Sequence, residues 1–167
     1  MTIRVRWMRW TAVAALATAA CDGSGRDGSV PRADTRLDGA WTAEFRLTSP
    51  LQLANGAPQG SLSAEVVLME NPAVRAVPGL HGTPTHYGAY AADFRPFALP
   101  TAATGRVPTV AARLAGGDSV EMVLDGIGSG LLLTGRLDAD SVAGRWTYPG
   151  DRAGGANGTF VLRRRKD

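Results

Sequence analysis

With 167 residues, the chain has room for one domain and its appendages. Its 21 glycines, 10 prolines and 20% charged residues are more typical of a turn-rich β protein than of a helical one. The formal net charge of +3 depends on Arg4, Arg6 and Arg9, without which 15 basic residues face 15 acidic ones. Because these charges balance, we expect no nucleic acid as a partner.

The first 20 residues have the pattern of a secretory signal peptide. Three arginines and no acid lie between Met1 and Arg9, and the stretch from Thr11 to Ala20 carries no charge. As a helix, this apolar stretch would span only about 15 Å, which is half of a bilayer core. We therefore predict a removable signal peptide over residues 1–20 and no transmembrane helix.

Cys21 is the only cysteine, which excludes an intramolecular disulfide, and small residues directly precede it. This pattern resembles the bacterial lipoprotein signal, and the resemblance covers residues 1–21. It implies cleavage before Cys21, a diacylglyceryl group on the thiol, and acylation of the new amino terminus. The membrane would then be a partner through lipid on Cys21, and palmitate would be incorporated. The alternatives are an ordinary signal peptide with an incidental cysteine and an uncleaved cytosolic chain.

The segment after Cys21 has the composition of a linker. Glycine, serine and charged residues dominate residues 22–36, and no hydrophobic alternation occurs. Such a flexible chain has an expected reach of roughly 20 Å. We predict a signal peptide over 1–20, a lipidated cysteine and tether over 21–37, and a β domain over 38–167. The domain would lie in the cell envelope, at the periplasmic or extracellular face of a membrane.

From Gly39 onward, apolar and polar residues alternate with the period of a half-buried strand. Trp41, Ala43, Phe45 and Leu47 share the first apolar face. No helical segment of core length occurs. We predict about eight strands, which lie near residues 39–48, 61–68, 90–95, 109–114, 119–125, 130–137, 142–148 and 158–164.

Short turns fix the expected strand pairing in the second half of the chain. Gly116–Asp118, Gly126–Ser129 and Asp138–Ser141 each suit a tight hairpin connection. The resulting registers agree in parity, so that one face stays apolar across consecutive strands. The predicted partners are Leu114 with Val120, Ala112 with Met122, Leu124 with Leu131, Leu137 with Val142, Gly135 with Gly144, and Leu133 with Trp146.

Glycine precedes a large apolar residue by two positions at four places on this face: Gly39, Gly135, Gly144 and Gly158. Inward glycines let strands bend sharply while large side chains lie over them. Sequential short hairpins with such bends favour a closed or nearly closed antiparallel up-and-down barrel. The alternative is a two-layer β-sandwich, which also uses alternating strands.

Gly39-Ala40-Trp41 resembles the first-strand motif of the lipocalin and calycin barrels. The resemblance implies that an arginine of the last strand, Arg163 or Arg164, packs near Trp41. It also implies a cup for a small hydrophobic ligand, although the second motif of that family is absent. The residues expected to line the cup are Trp41, Phe45, Leu133, Trp146 and Phe160. The same tryptophans also suit an ordinary filled core, and the domain is expected to be monomeric.

The sequence contains no convincing catalytic or metal-binding group. His81 and His86 are the only histidines and are interpreted as ordinary loop residues without a third ligand. No serine lies in a nucleophile-elbow motif. We therefore expect no enzyme activity, metal or cofactor. Two hypotheses stay open: a lipid-anchored module with an apolar ligand in its barrel, and a structural or assembly lipoprotein that acts through its outer surface.

Overall fold

The computed structural model describes residues 34–49, 60–71, 76–100, 107–150 and 155–166. The predicted signal peptide, Cys21 and most of the predicted tether lie outside these ranges. The compact unit that holds the β domain spans Arg32–Asp167. No helix within the described ranges has the length and apolar character needed to cross a membrane.

The β domain is a closed antiparallel barrel of eight strands. Each strand pairs with the next along the chain, and the last pairs with the first. The predicted up-and-down barrel is therefore confirmed, and the sandwich alternative is wrong. The strands are β1 (Gly39–Ser49), β2 (Ser61–Glu70), β3 (His86–Ala91), β4 (Thr109–Leu114), β5 (Ser119–Asp125), β6 (Leu131–Asp138), β7 (Ser141–Tyr148) and β8 (Ala156–Arg164).

The strand registers of the second half follow the hairpin argument. All six predicted pairs are found, including Gly135 with Gly144 and Leu133 with Trp146. Gly116 and Gly117 both have positive φ, as a tight hairpin with left-handed glycines requires. Hydrophobic alternation with consistent parity was therefore sufficient to fix four strands.

The third strand differs from its prediction. The sequence placed Tyr90, Ala92 and Phe94 together on a strand, whereas β3 ends at Ala91. Phe94 instead directly precedes a short 3₁₀ helix, η2 (Arg95–Phe97), as its N-cap residue. Pro96 favours this turn over a continued strand, because proline has no N–H to donate to a neighbouring strand and suits the first turn of a helix.

Each end of the barrel is closed by apolar side chains from outside the strands. At one end, the 3₁₀ helix η1 (Thr35–Leu37) inserts Leu37, which is fully buried. At the other end, the connection between β3 and β4 inserts Phe94, Phe97 and Leu99. Leu37 lies in the segment predicted as tether, and its side chain packs in the core of the barrel.

Candidate functional site

The five residues that the sequence predicts to line a cup all belong to one apolar core. Each has at most 2% of its surface exposed. Phe45 and Phe160 are neighbours, with ring centroids 6.2 Å apart, and Leu133 pairs with Trp146. Trp41 lies at the opposite end, beside η1.

An aromatic cluster fills the barrel at the end nearest η2. The Phe97 ring lies parallel to the Trp146 indole, at 5.6 Å between centroids and 6° between planes. Phe94 meets Phe45 edge to face at 5.3 Å and also contacts Phe97 at 6.4 Å. Such ring geometries add about 0.5–1.5 kcal/mol per pair beyond simple burial. Sequence reasoning missed Phe97, since a single phenylalanine after a proline in a loop has no periodic signal.

The orientation of Trp146 is fixed by backbone carbonyls of β1 and β8. Its Nε1 donates to the carbonyl oxygens of Arg46, at 3.2 Å, and Thr159, at 3.1 Å. A Cβ added to Gly158 would lie 2.6 Å from the indole, so the ring packs directly on that glycine. The glycine–aromatic pattern in the sequence therefore has the predicted physical role of letting a large ring lie over a bare backbone.

At the η1 end, Trp41 lies between η1 and the last residue of β8. Its Nε1 donates to the carbonyl oxygen of Leu37 at 3.0 Å. The guanidinium of Arg164 lies 4.3 Å from the centre of the Trp41 ring, which is a cation–π contact. Arg164 also donates to the carbonyl oxygens of Asp38 and Arg36. Of the two candidate arginines, Arg164 is therefore the one that packs on Trp41.

Arg36 holds η1 against the hairpin between β4 and β5. Its Nη1 donates to Asp118 Oδ1 at 2.7 Å, and its Nη2 donates to the carbonyl oxygen of Gly117 at 3.0 Å. The Asp34 side chain accepts from the backbone N–H of Arg36, as a helix cap does. These ion pairs are exposed and screened by solvent, so they add little to stability. They connect η1, which carries Leu37, to the β4–β5 hairpin.

His86 differs from its interpretation as an ordinary loop residue, because it is the first residue of β3 and fully buried. Its Nδ1 lies 2.8 Å from Thr85 Oγ1. Its Nε2 has no hydrogen-bond partner among the described residues and lies 3.5 Å from Asp38 Oδ1. Burial lowers the pKa of His86, and the negative charges of Asp38, Glu70 and Asp34 oppose that shift.

We expect His86 to make the barrel less stable in mild acid. The unfolded chain takes up a proton near pH 6.5, whereas the buried imidazole stays neutral to lower pH. The contribution of His86 is thus present above pH 6.5 and is lost as the pH falls through its lowered pKa. One proton gives a slope of at most about 1.4 kcal/mol per pH unit. Urea unfolding between pH 7.5 and 5.5 measures this slope.

His86→Gln should flatten that pH dependence. His81→Gln is the surface control, because the His81 side chain is 83% exposed. A slope that persists in His86→Gln would assign the effect to other groups.

The described part of the outer surface carries open depressions lined by both polar and apolar groups. One, of about 430 Å³, is lined by Thr48, Arg145, Thr147, Asn157 and neighbouring residues of β7 and β8. Another, of about 440 Å³, lies beside Asp118, Arg136 and Ser141. Within the described ranges, no three histidine, cysteine or acidic side chains are arranged to hold a metal ion.

The fold therefore defines the class of this domain as an antiparallel up-and-down eight-stranded barrel that is closed by apolar residues at both ends. No family model, curated protein or solved structure matches the chain.

Proposed function

We propose that the protein is an exported lipoprotein, anchored to a membrane of the cell envelope by lipid on Cys21, with a non-catalytic barrel. The anchor is supported by the basic and apolar leader that ends at the single cysteine. Residues 22–33 then separate Cys21 from the first residue of the described domain. A linker of this length and composition reaches roughly 20 Å, which keeps the barrel near the membrane surface.

The contact between Arg164 and Trp41 supports a relationship to the lipocalin-like barrels. In this chain the glycine motif of β1, the tryptophan and the last-strand arginine meet at the end where the chain enters the barrel.

We propose that the barrel acts through its outer surface on a partner in the envelope. The observation that carries this proposal is the filled interior, because the inward side chains of the barrel pack together in one apolar core. The outer face also offers apolar contact area, because Val67 and Met69 of β2 are 44% and 63% exposed. Their register partners on β3 are Ala89 and Tyr87.

A second candidate function is the binding of a small apolar ligand inside the barrel. The specific observation that favours it is the concentration of aromatic rings at one end, where Phe45, Phe94, Phe97, Phe160 and Trp146 meet. Flat aromatic walls are common in sites for small apolar molecules.

The lipid anchor gives the first test of the proposed function. Wild-type protein is expected to incorporate labelled palmitate and to yield, by mass spectrometry, a chain that begins at Cys21 and carries acyl groups. Cys21→Ser should remain a full-length precursor without label, because the serine hydroxyl does not accept the diacylglyceryl group. Metabolic labelling and intact-mass measurement of membrane-purified protein provide the readout.

Ser24→Ala, in the same linker, is the matched control and should be processed like wild type. Unlabelled wild-type protein with an amino terminus before residue 21 would contradict the anchor. The same purified sample, measured under native conditions, separates the two modes of action. A small molecule that stays bound to the protein would favour ligand binding inside the barrel over action through the outer surface.

A further inference from the structure

The connection between β3 and β4 contains a compact segment, residues 93–99, which we call the plug. Its backbone hydrogen bonds join its own residues: Phe97 and Leu99 donate to the Phe94 carbonyl, and Ala98 donates to that of Arg95. The Arg95 side chain in turn pairs with Asp93. Within the described residues, the plug therefore makes no hydrogen bond to the barrel.

Among the described residues, apolar contacts hold the plug against the barrel. Phe94, Phe97 and Leu99 are each at most 4% exposed. The Phe97 ring covers the face of Trp146, and the Phe94 ring meets Phe45. Hydrophobic contact is non-directional, so another apolar molecule of similar shape can replace these rings.

The wall behind the plug has its own supports. Trp146 is held by the carbonyl oxygens of Arg46 and Thr159. The hydroxyl of Tyr90 donates to the carbonyl oxygen of Asp125 at 2.8 Å. These polar groups keep their partners when the plug leaves, so the exposed wall would stay in place as a flat apolar slot.

We propose that Phe94 and Phe97 occupy a site for a small, uncharged, planar aromatic molecule, which binds by displacing the plug. This inference rests on the second proposed function, ligand binding inside the barrel. It adds the class of ligand and the reason why the resting barrel is filled. The wall offers aromatic rings without charge, from Trp146, Phe45, Tyr90 and Phe160. The apparent affinity is reduced by the fraction of molecules in which the plug is open.

N-phenyl-1-naphthylamine, an uncharged aromatic fluorophore, tests this directly on the mature protein. Wild type should bind it, and binding should speed amide hydrogen exchange at Phe97 and Ala98 as the plug is displaced. Phe97→Ala should bind between about tenfold and a thousandfold more tightly, since an open state populated at 0.1–10% no longer limits binding. Leu37→Ala makes a void at the opposite end and should bind like wild type.

The possible failures are distinguishable. If Phe97→Ala binds but wild type does not, the variant has only an engineered void and the plug is not displaceable, which overturns the inference. If the two proteins bind equally, the ligand function stands and the competition by the plug does not. If neither wild type nor Phe97→Ala binds the probe, the ligand function and the displacement of the plug both fail. Should Phe97→Ala not fold, Phe97→Leu replaces it, because leucine removes the ring stacking but keeps apolar volume. Phe97→Leu should then bind the probe more tightly than wild type, and the probe should speed exchange at Phe97 and Ala98 of wild type. Equal binding and unchanged exchange would overturn the inference.

Discussion

Gly144→Val is expected to prevent the barrel from closing in its present register. A Cβ at position 144 would lie 2.0 Å from the carbonyl oxygen of Thr134 and 2.5 Å from the Cα of Gly135. Both neighbours are backbone atoms of β6, so no side-chain rotation can relieve the clash. The cost should exceed the 1–3 kcal/mol that is common for overpacking, against a total stability of roughly 5–15 kcal/mol. Urea unfolding followed by far-ultraviolet circular dichroism measures it.

Ala143→Val is the matched control, because residue 143 is the neighbouring position on β7 and is exposed. Valine has a high strand propensity, so this variant should stay within about 0.5 kcal/mol of wild type. Equal unfolding midpoints for Gly144→Val and Ala143→Val would contradict the close approach of β6 and β7 at this point.

The second half of the barrel could be predicted because residues close together in the sequence determine its strand pairing. From Thr109 to Tyr148, each strand is joined to the next by a short turn, and the turn length determines which residues face each other. A slip of one residue would expose every inward side chain, which leaves a single acceptable register. Glycines at facing positions 135 and 144 added the bend that distinguishes a barrel from a sandwich.

The parts that sequence reasoning missed depend on contacts between distant segments. Leu37 has no periodic neighbours, and its burial depends on the closing of β1 onto β8 at the end that η1 covers. Phe97 likewise becomes buried only because η2 folds back over Trp146. His86 looked like a loop residue because long connections flank a strand of six residues.

The difference between local and distant contacts also explains why the predicted cup is a filled core in the structure. Alternation correctly gave the inward direction of Trp41, Phe45, Leu133, Trp146 and Phe160. It carried no information about what would occupy the space in front of them. That space is taken by side chains that arrive from the two ends of the barrel, and end segments follow no strand period.

The η1 segment should therefore contribute far more to stability than the rest of the predicted tether. A protein that begins at Arg32 keeps the whole compact unit and should unfold like the mature chain, within about 0.5 kcal/mol. A protein that begins at Asp38 loses the Leu37 side chain, which is fully buried. By analogy with large-to-small core substitutions, this loss should cost about 2–5 kcal/mol. Thermal and urea unfolding of the two proteins provide the comparison.

Leu37→Ala in the protein that begins at Arg32 separates the side chain from the backbone of η1. This variant keeps the Leu37 carbonyl that accepts from Trp41 and the Arg36 carbonyl that accepts from Arg164. If apolar burial dominates, Leu37→Ala should lose most of the stability that the shorter protein loses. If the backbone acceptors dominate, Leu37→Ala should be mild while the shorter protein is strongly destabilised, because a buried donor without its partner costs about 1–3 kcal/mol. Equal stability of all three proteins would show that the barrel closes without η1, and the folded domain would then begin at residue 38.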